Sequence, residues 1–307
     1  MSDDVERAVQ GEHAATPGSY GEPPRGFRLP DATSLGEVRL QVADLDRSLQ
    51  FYQDVLGLRV VHQGASEASL AAVGDDRTLV HLVEHPGAHA GARRARLGLY
   101  HYAILLPDRP GLGRLVRHLS TTGIHVGAGD HLVSEAFYIS DPDGLGIEVY
   151  ADRPRASWRR VGRQLKMATD PVDVPGLLAT AGDTPWAGMP AGTVMGHVHL
   201  HVGDLDRAAA FYGDGLGFDK TTWSYPGALF LGAGGYHHHV GVNTWAGPTA
   251  APATRDDARL LEWTLKLPDA NAVAAVSASV AAAGFAIEAD GDAFVARDPW
   301  GTAVRVR

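Results

Sequence analysis

The sequence predicts an α+β protein built from four units, each a strand, a helix and then several strands. Three observations predict it: a long internal repeat at constant offset, a fainter second repeat lying between its copies, and a switch of apolar period inside each copy. Residues 36–58 read GEVRLQVADLDRSLQFYQDVLGL, and residues 196–218 read GHVHLHVGDLDRAAAFYGDGLGF. Repeats of this length mean repeated supersecondary units.

Each copy opens with alternating apolar and polar residues, the signature of a half-buried strand. Asp44 and Asp204 then supply a helix-start signal, with Asp46 and Asp206 in the first turn. In the first copy Leu49, Phe51, Tyr52 and Leu56 give one apolar helix face. Gly57 and Gly217 end the two predicted helices. The second repeat is LYHYAILLPD at 99–108 and LLEWTLKLPD at 260–269, each a strand ending in Pro-Asp. Helix-like stretches follow at 111–122 and 270–283. Each of these units closes with a turn and a strand, DPDGLGIEVY at 141–150 and DPWGTAVRVR at 298–307. Units therefore start near residues 35, 98, 195 and 260.

Around them the chain divides into an N-terminal arm at 1–33, a first pair of units at 34–152, a linker at 153–194 and a second pair at 195–307. The linker carries one short helical stretch, Asp173 to Ala181. The Pro/Ala-rich stretch 244–258 reads as a loop able to border a site.

The bulk composition removes several function classes. The formal charge is −9, which disfavours nucleic acid and anionic membranes as main partners. There are no cysteines, so disulfides, thiolate metal sites and cysteine nucleophiles are excluded. The first residues, MSDDVERAVQGEH, are acidic and lack an apolar run, and no stretch of about 18 apolar residues occurs. A cytoplasmic protein is expected.

The repeated unit opening GHVHLHVGDLDRAAAFY resembles the vicinal oxygen chelate superfamily, which includes extradiol dioxygenases, glyoxalase I and fosfomycin-resistance proteins. The segments GLYHYAILLPD, DHLVSEAFYISDPDGLGIEVYADRP and GGYHHHVGVNTW resemble its bacterial catechol 2,3-dioxygenase branch. The resemblance covers residues 35–307 and implies four βαβββ modules forming two cupped mixed sheets. It also implies metal ligands on the first strand of each unit and the last strand of one. Those positions are Glu37, His101, His197 and Glu262, with Glu148 and Arg305 on last strands. Two histidines and a carboxylate on one face of a metal suit Fe(II), leaving the opposite face open. His101, Glu148 and His197 make that set if the second and third units pair.

Sequential pairing would instead gather Glu37, His81, His101 and Glu148, as in a glyoxalase, or His197, a histidine from 237–239 and Glu262. With second-to-third pairing, Glu37, Glu262 and Arg305 read as a salt-linked pseudo-site. The expected cofactor is Fe(II), or alternatively Mn(II) or another divalent metal. The expected partners are a small aromatic diol and O2, with neither nucleic acid nor membrane, in a homodimer.

Ring cleavage also needs groups that move protons and orient a substrate oxygen. The resemblance points to His238, then His239, as the acid–base histidine in the run 236–241, read as the third unit's last strand. It points to Tyr138, ten residues before Glu148, as the active-site tyrosine, and to His131 as a substrate contact. Asn243, Trp245 and Trp223 are possible pocket linings. His199 and His201 share the period of His197, and His199 is the nearest wrong register. Two other readings stay open. One is a glyoxalase-like isomerase, lyase or thiol transferase, needing Glu37 as a further ligand and basic residues such as Arg93, Arg94 and Arg96 at the mouth. The other is a non-catalytic binding protein, against which the polar residues on core strands argue, since buried His and Glu are costly without partners.

Overall fold

The computed structural model describes residues 11–90 and 96–307. Arg93 and Arg94, expected at a basic mouth, lie outside the described residues. No helix among the described residues is long and apolar enough to cross a membrane.

The first unit contains β2 (Ser34–Val42), preceded by a short arm strand β1 (Glu12–Ala14), then α1 (Leu45–Asp54), β3 (Arg59–Gln63), β4 (Glu67–Ala71) and β5 (Thr78–Glu84). The second contains β6 (Arg96–Leu105), α2 (Arg109–Thr122), β7 (Gly127–Asp130), β8 (Ser134–Ser140) and β9 (Gly146–Asp152). Between the halves lie β10 (Arg159–Val161), β11 (Gln164–Leu165) and helix α3 (Val174–Thr180). The third unit has β12 (Val194–His201), α4 (Leu205–Ala208), β13 (Asp219–Thr222), β14 (Ala228–Gly232) and β15 (Val240–Asn243). A two-residue strand β16 (Ala251–Pro252) precedes the fourth unit, which has β17 (Arg259–Lys266), α5 (Ala270–Ala282), β18 (Ile287–Asp290), β19 (Ala293–Arg297) and β20 (Ala303–Val306).

The unit helices start in one way. Asp44, Asp108, Asp204 and Asp269 each accept a hydrogen bond from the backbone N–H three residues on, filling one of the donors that a helix start leaves open. The third unit then departs from expectation. Its single predicted helix becomes one α-helical turn followed by a π-helical stretch at Ala209–Gly215. Ala210, Gly213 and Gly215 stand where the first copy has Gln50, Gln53 and Val55, so little side-chain bulk holds the tighter winding. The wider turn buries Phe211 and Tyr212 completely, whereas Phe51 in the α-helical copy is only half-buried.

The units pair second with third and first with fourth. One sheet runs β13-β14-β15-β12-β6-β9-β8-β7, with β16 added beside β6. The other runs β18-β19-β20-β17-β2-β5-β4-β3. At each centre two first strands lie antiparallel, β6 against β12 and β2 against β17. The sheets pack on each other where β2 meets β12 and β6 meets β17. Side chains alternate across a strand, so each central strand divides its residues between two faces. Val38, Leu40, Tyr102, Ile104, Val198, Leu200, Trp263 and Leu265 enter the shared core. Their neighbours face the two concave cups.

Each sequence half ties one sheet to the other by the same device. Tyr52 on α1 donates to Asp141 at 3.2 Å, in the turn before β9. Tyr212 donates to Asp298 at 2.9 Å, in the turn before β20. Asp141 also accepts from the backbone N–H groups of Asp143 and Leu145, and Arg47 pairs with Asp143. The turn before β9 is thus a geometric element that ties the sheets together.

Residues 11–33 lie along their own chain. β1 pairs with β10 in a small three-stranded sheet with β11, Tyr20 donates to the carbonyl of Gly235 at 2.5 Å, and Arg28 pairs with Asp219 at 2.5 Å.

Candidate metal centre and its cavity

His101 on β6, Glu148 on β9 and His197 on β12 converge in the cup of the second and third units. Among the described residues they form one group of buried His and Glu whose potential ligand atoms all lie within 4.8 Å of one another. The register explains the convergence. β6 lies between β9 and β12, with Ala103 opposite Glu148 and also opposite His197. A bulge at Gly196 shifts the β6–β12 pairing beside the ligand, the kind of irregularity that re-aims a side chain. Gly146 lets the strands close up, since a Cβ there would sit 2.1 Å from the Tyr100 carbonyl oxygen and 3.2 Å from the His101 Cβ.

The Glu148 Oε2 atom lies 3.0 Å from His101 Nε2 and 3.2 Å from His197 Nε2. His101 Nε2 nevertheless has no aligned hydrogen-bond partner; distance alone does not make the bond. Burial pushes both imidazoles down, more than the neighbouring carboxylate lifts them. Burial would lift the Glu148 carboxyl, but the imidazoles beside it, His197 foremost, hold it well below the usual carboxylate range. Neutral imidazoles and an ionised carboxylate with lone pairs turned to one point form the donor set a divalent metal needs. The residues therefore fit such an ion.

The triad lines a cavity of about 320 Å³. Tyr100, Tyr225, Phe230 and Trp245 supply aromatic wall, and Met167, Ala168 and Thr169 close one side. His131 donates from Nδ1 to the Ala168 carbonyl at 2.7 Å, which leaves its Nε2 to accept from the Tyr138 hydroxyl at 2.6 Å. Burial, reinforced by the nearby Glu148 carboxylate, pushes Tyr138 well above its ordinary pKa, so it stands as a phenol. His238 also lines the cavity, its ring centroid 4.1 Å from that of His197. Burial first, then neighbouring histidines, hold His238 well below the usual imidazole range.

The structure sorts the remaining sequence candidates. His239 is turned away: its Nδ1 accepts from the Ala233 N–H at 3.2 Å, and its ring packs near Phe218 and Tyr236. The run 236–239 precedes β15 as irregular backbone instead of belonging to it. Two positive-φ glycines, Gly234 and Gly235, turn the chain just before it, so strict strand alternation does not hold there. His199 lines the cavity but stands outside the triad. Its ring occupies the space over Gly241, where a Cβ would come within 2.9 Å of it. Asn243 is buried and bonded to His201 at 2.7 Å, and Trp223 is exposed. Glu37 is in the other cup, accepting from Arg307 at 2.7 Å, and His81 there meets Ser69 and Glu67. Sequence reasoning missed Met167 to Thr169, which lie in what reads as linker, and gave no role to His237 beside His238.

The sequence matches the model of the glyoxalase/bleomycin resistance protein/dioxygenase superfamily over residues 34–149 and 194–305. The chain belongs to this superfamily. It is 47% identical over 270 residues to a catechol-2,3-dioxygenase of Bacillus subtilis (strain 168), covering 87% of this chain and 94% of that protein. Among solved structures, the superfamily fold is shared with a putative dioxygenase of Bacillus subtilis at TM-score 0.62 and 12% identity, over 92% of this chain and 86% of that one. It is also shared with glyoxalase I of Zea mays at TM-score 0.54 and 18% identity, over 90% and 92%. In this superfamily member the second-to-third pairing assembles the buried His–Glu–His triad, a site that could bind a divalent metal.

Proposed function

We propose that the protein is an extradiol ring-cleaving dioxygenase, opening a catechol-type ring with O2 next to its pair of hydroxyl-bearing carbons. The carrying observation is the buried His101–Glu148–His197 convergence inside an aromatic-walled cavity that also holds His238 and Tyr138. The 47% identity to a catechol-2,3-dioxygenase supports it. These three residues would hold Fe(II), or alternatively Mn(II), whose contribution when bound is Lewis acidity toward the catechol oxygens and redox access to O2.

The chain's own residues then have separable tasks. Tyr100, Phe230 and Trp245 offer ring faces and edges against which a flat aromatic diol packs. The aromatic walls lower the polarity beside the triad and strengthen polar contacts made there. His238, a neutral buried imidazole, takes a proton from a catechol hydroxyl as the substrate binds and returns it later. Tyr138, its hydroxyl proton directed to His131, presents oxygen lone pairs toward the cavity and fixes a substrate hydroxyl. The glyoxalase-like reading asks for a second carboxylate beside the triad. Glu37 is held in the other cup by Arg307.

The test is O2 consumption by the anaerobically Fe(II)-loaded protein on a panel of catechols, with the ring-opened yellow product followed by absorbance. Uptake requiring both metal and catechol is expected. Bound metal with no uptake on any catechol would overturn the reading.

A further inference from the structure

Behind His238 runs a chain of polar groups, fully buried at His237 and partly exposed at Asp152, that the mechanism above leaves unused. His238 Nδ1 lies 2.7 Å from His237 Nδ1, and His237 Nε2 lies 3.0 Å from Asp152 Oδ1. Asp152 ends β9, on the same strand face as Glu148 four residues earlier. The line therefore crosses from the second unit to the third, as the triad does. His237 is fully buried, so every polar atom it carries needs a partner inside the protein. Tyr236 also donates to Asp152 Oδ1, at 3.3 Å, and Tyr150 lies 2.6 Å from the Tyr236 hydroxyl.

Counting protons along the line fixes its direction. An ionised carboxylate only accepts, so His237 donates to Asp152 from Nε2. Two Nδ1 atoms at hydrogen-bond distance hold one proton between them. A cationic His237 would place that proton on His237. Asp152, 3.0 Å away, favours such a cation, whereas a divalent ion held by the triad would oppose it. With His237 neutral its Nδ1 accepts, and the shared proton belongs to His238 Nδ1. His238 is left with a lone pair on Nε2.

We propose that His237 and Asp152 are positioning residues that fix the tautomer of His238, keeping Nδ1 protonated and Nε2 free to receive the catechol proton. The inference rests on the acid–base role given to His238 above. In the step itself a catechol O–H breaks, its proton bonds to His238 Nε2, and the Nδ1 proton stays in its bond to His237. The resulting imidazolium then points its positive edge along the line toward the Asp152 carboxylate. This is the logic by which a second group behind a catalytic imidazole selects its tautomer.

The tautomer is readable without turnover. Long-range 1H–15N correlation spectra of the 15N-histidine-labelled full chain, metal-free or loaded with diamagnetic Zn(II), distinguish Nδ1–H from Nε2–H imidazole. The His238 signals are identified by their loss in His238→Gln. The expected result is a neutral Nδ1–H tautomer for His238 in the wild type, shifting toward Nε2–H in His237→Phe. A wild-type Nε2–H tautomer, or an Nδ1–H tautomer indifferent to His237→Phe, overturns the proposal even if catechol turnover is normal. An absence of turnover with the expected spectra removes the dioxygenase reading and leaves the tautomer assignment standing.

In the Fe(II)-loaded enzyme, His237→Phe and Asp152→Ala are expected to lower kcat about 10²- to 10³-fold with KM within about twofold. His237→Gln, whose amide can both accept and donate, should recover about tenfold over His237→Phe. Equal losses in the Gln and Phe variants would assign His237 to packing alone and overturn the positioning role.

Discussion

The two cups share a topology and differ in what occupies matching positions. In the cup of the second and third units the first strands carry His101 and His197 and a last strand carries Glu148. In the cup of the first and fourth units the corresponding residues are Glu262, Glu37 and Arg305. The first set leaves His101 Nε2 without a hydrogen-bond partner in the protein. The second closes on itself: Arg305 donates to Glu262 at 2.7 Å and pairs with Asp290, and Arg307 donates to Glu37 at 2.7 Å. Its cavity, about 500 Å³, is the larger of the two but is lined by ion-paired side chains where the first has aromatic walls. Room for a ligand therefore does not distinguish the cups. Whether the charges in each are already neutralised within the protein does.

The largest expected effect tests that contrast directly. Glu148→Ala should lose metal, since two neutral imidazoles hold a divalent ion poorly, and Arg305→Ala should leave metal content unchanged at a stability cost of about 1 kcal/mol. Elemental analysis after dialysis, beside thermal melts, checks both; full metal occupancy in Glu148→Ala would end the assignment of the triad. Next in size, His238→Phe should retain metal and lose turnover about 10²- to 10⁴-fold, while His239→Phe, altered on the far side of the same run, should not touch the chemistry. Comparing kcat per bound metal separates them. Smaller again, Tyr138→Phe should keep metal and lower kcat about tenfold, the scale of one hydrogen bond to substrate; steady-state kinetics on one catechol would show it.

The last effect is on stability alone and concerns the feature the two sequence halves share. Burial pushes the Asp141 carboxyl up from 3.8 to about 7, and pushes Asp298 up as well. A carboxyl raised in the folded state binds more protons there than in the unfolded chain. Its contribution is therefore greatest below the unfolded value near 4 and is lost as pH rises through about 7. The melting temperature of the wild type minus that of Asp141→Asn should fall between about pH 4 and pH 7, a difference in which the opposite contribution of the buried histidines cancels. Equal slopes would show that Asp141 does not titrate in that window.

Much of this was legible in the sequence, for identifiable reasons. The repeat and its strand-to-helix switch are local patterns, and the Asp caps at 44 and 204 mark the helix starts. His101, Glu148 and His197 stand out because the family resemblance assigns strand positions and the residue types suit a metal. The pairing of units is open at the level of sequence, because strand alternation says which residues share a face but not which edges meet. His237 and the true direction of His239 were hidden by reading 236–239 as a regular strand, although Gly234 and Gly235 could have warned of a turn. The cavity wall at Met167 to Thr169 carries no pattern at all; a loop becomes a wall only when the sheet beside it is complete. The π-helical turn at Ala209–Gly215 is a similar case, in which a repeated pattern predicts one winding and small residues permit another.

The crossed pairing of units has a consequence for how the protein is made. As the chain leaves the ribosome, the first two units emerge with β2 and β6 each lacking the strand that will lie beside it. β6 acquires its neighbour only after the linker and β12 have been synthesised. β2 must wait longer, until β17, in the last fifth of the chain. Open strand edges of this kind can join other chains, and a nascent N-terminal half carries two of them. The ligands at 101 and 148 are thus made early but have no third member until residue 197 arrives, so a polypeptide truncated within the linker should neither hold metal nor stay monodisperse.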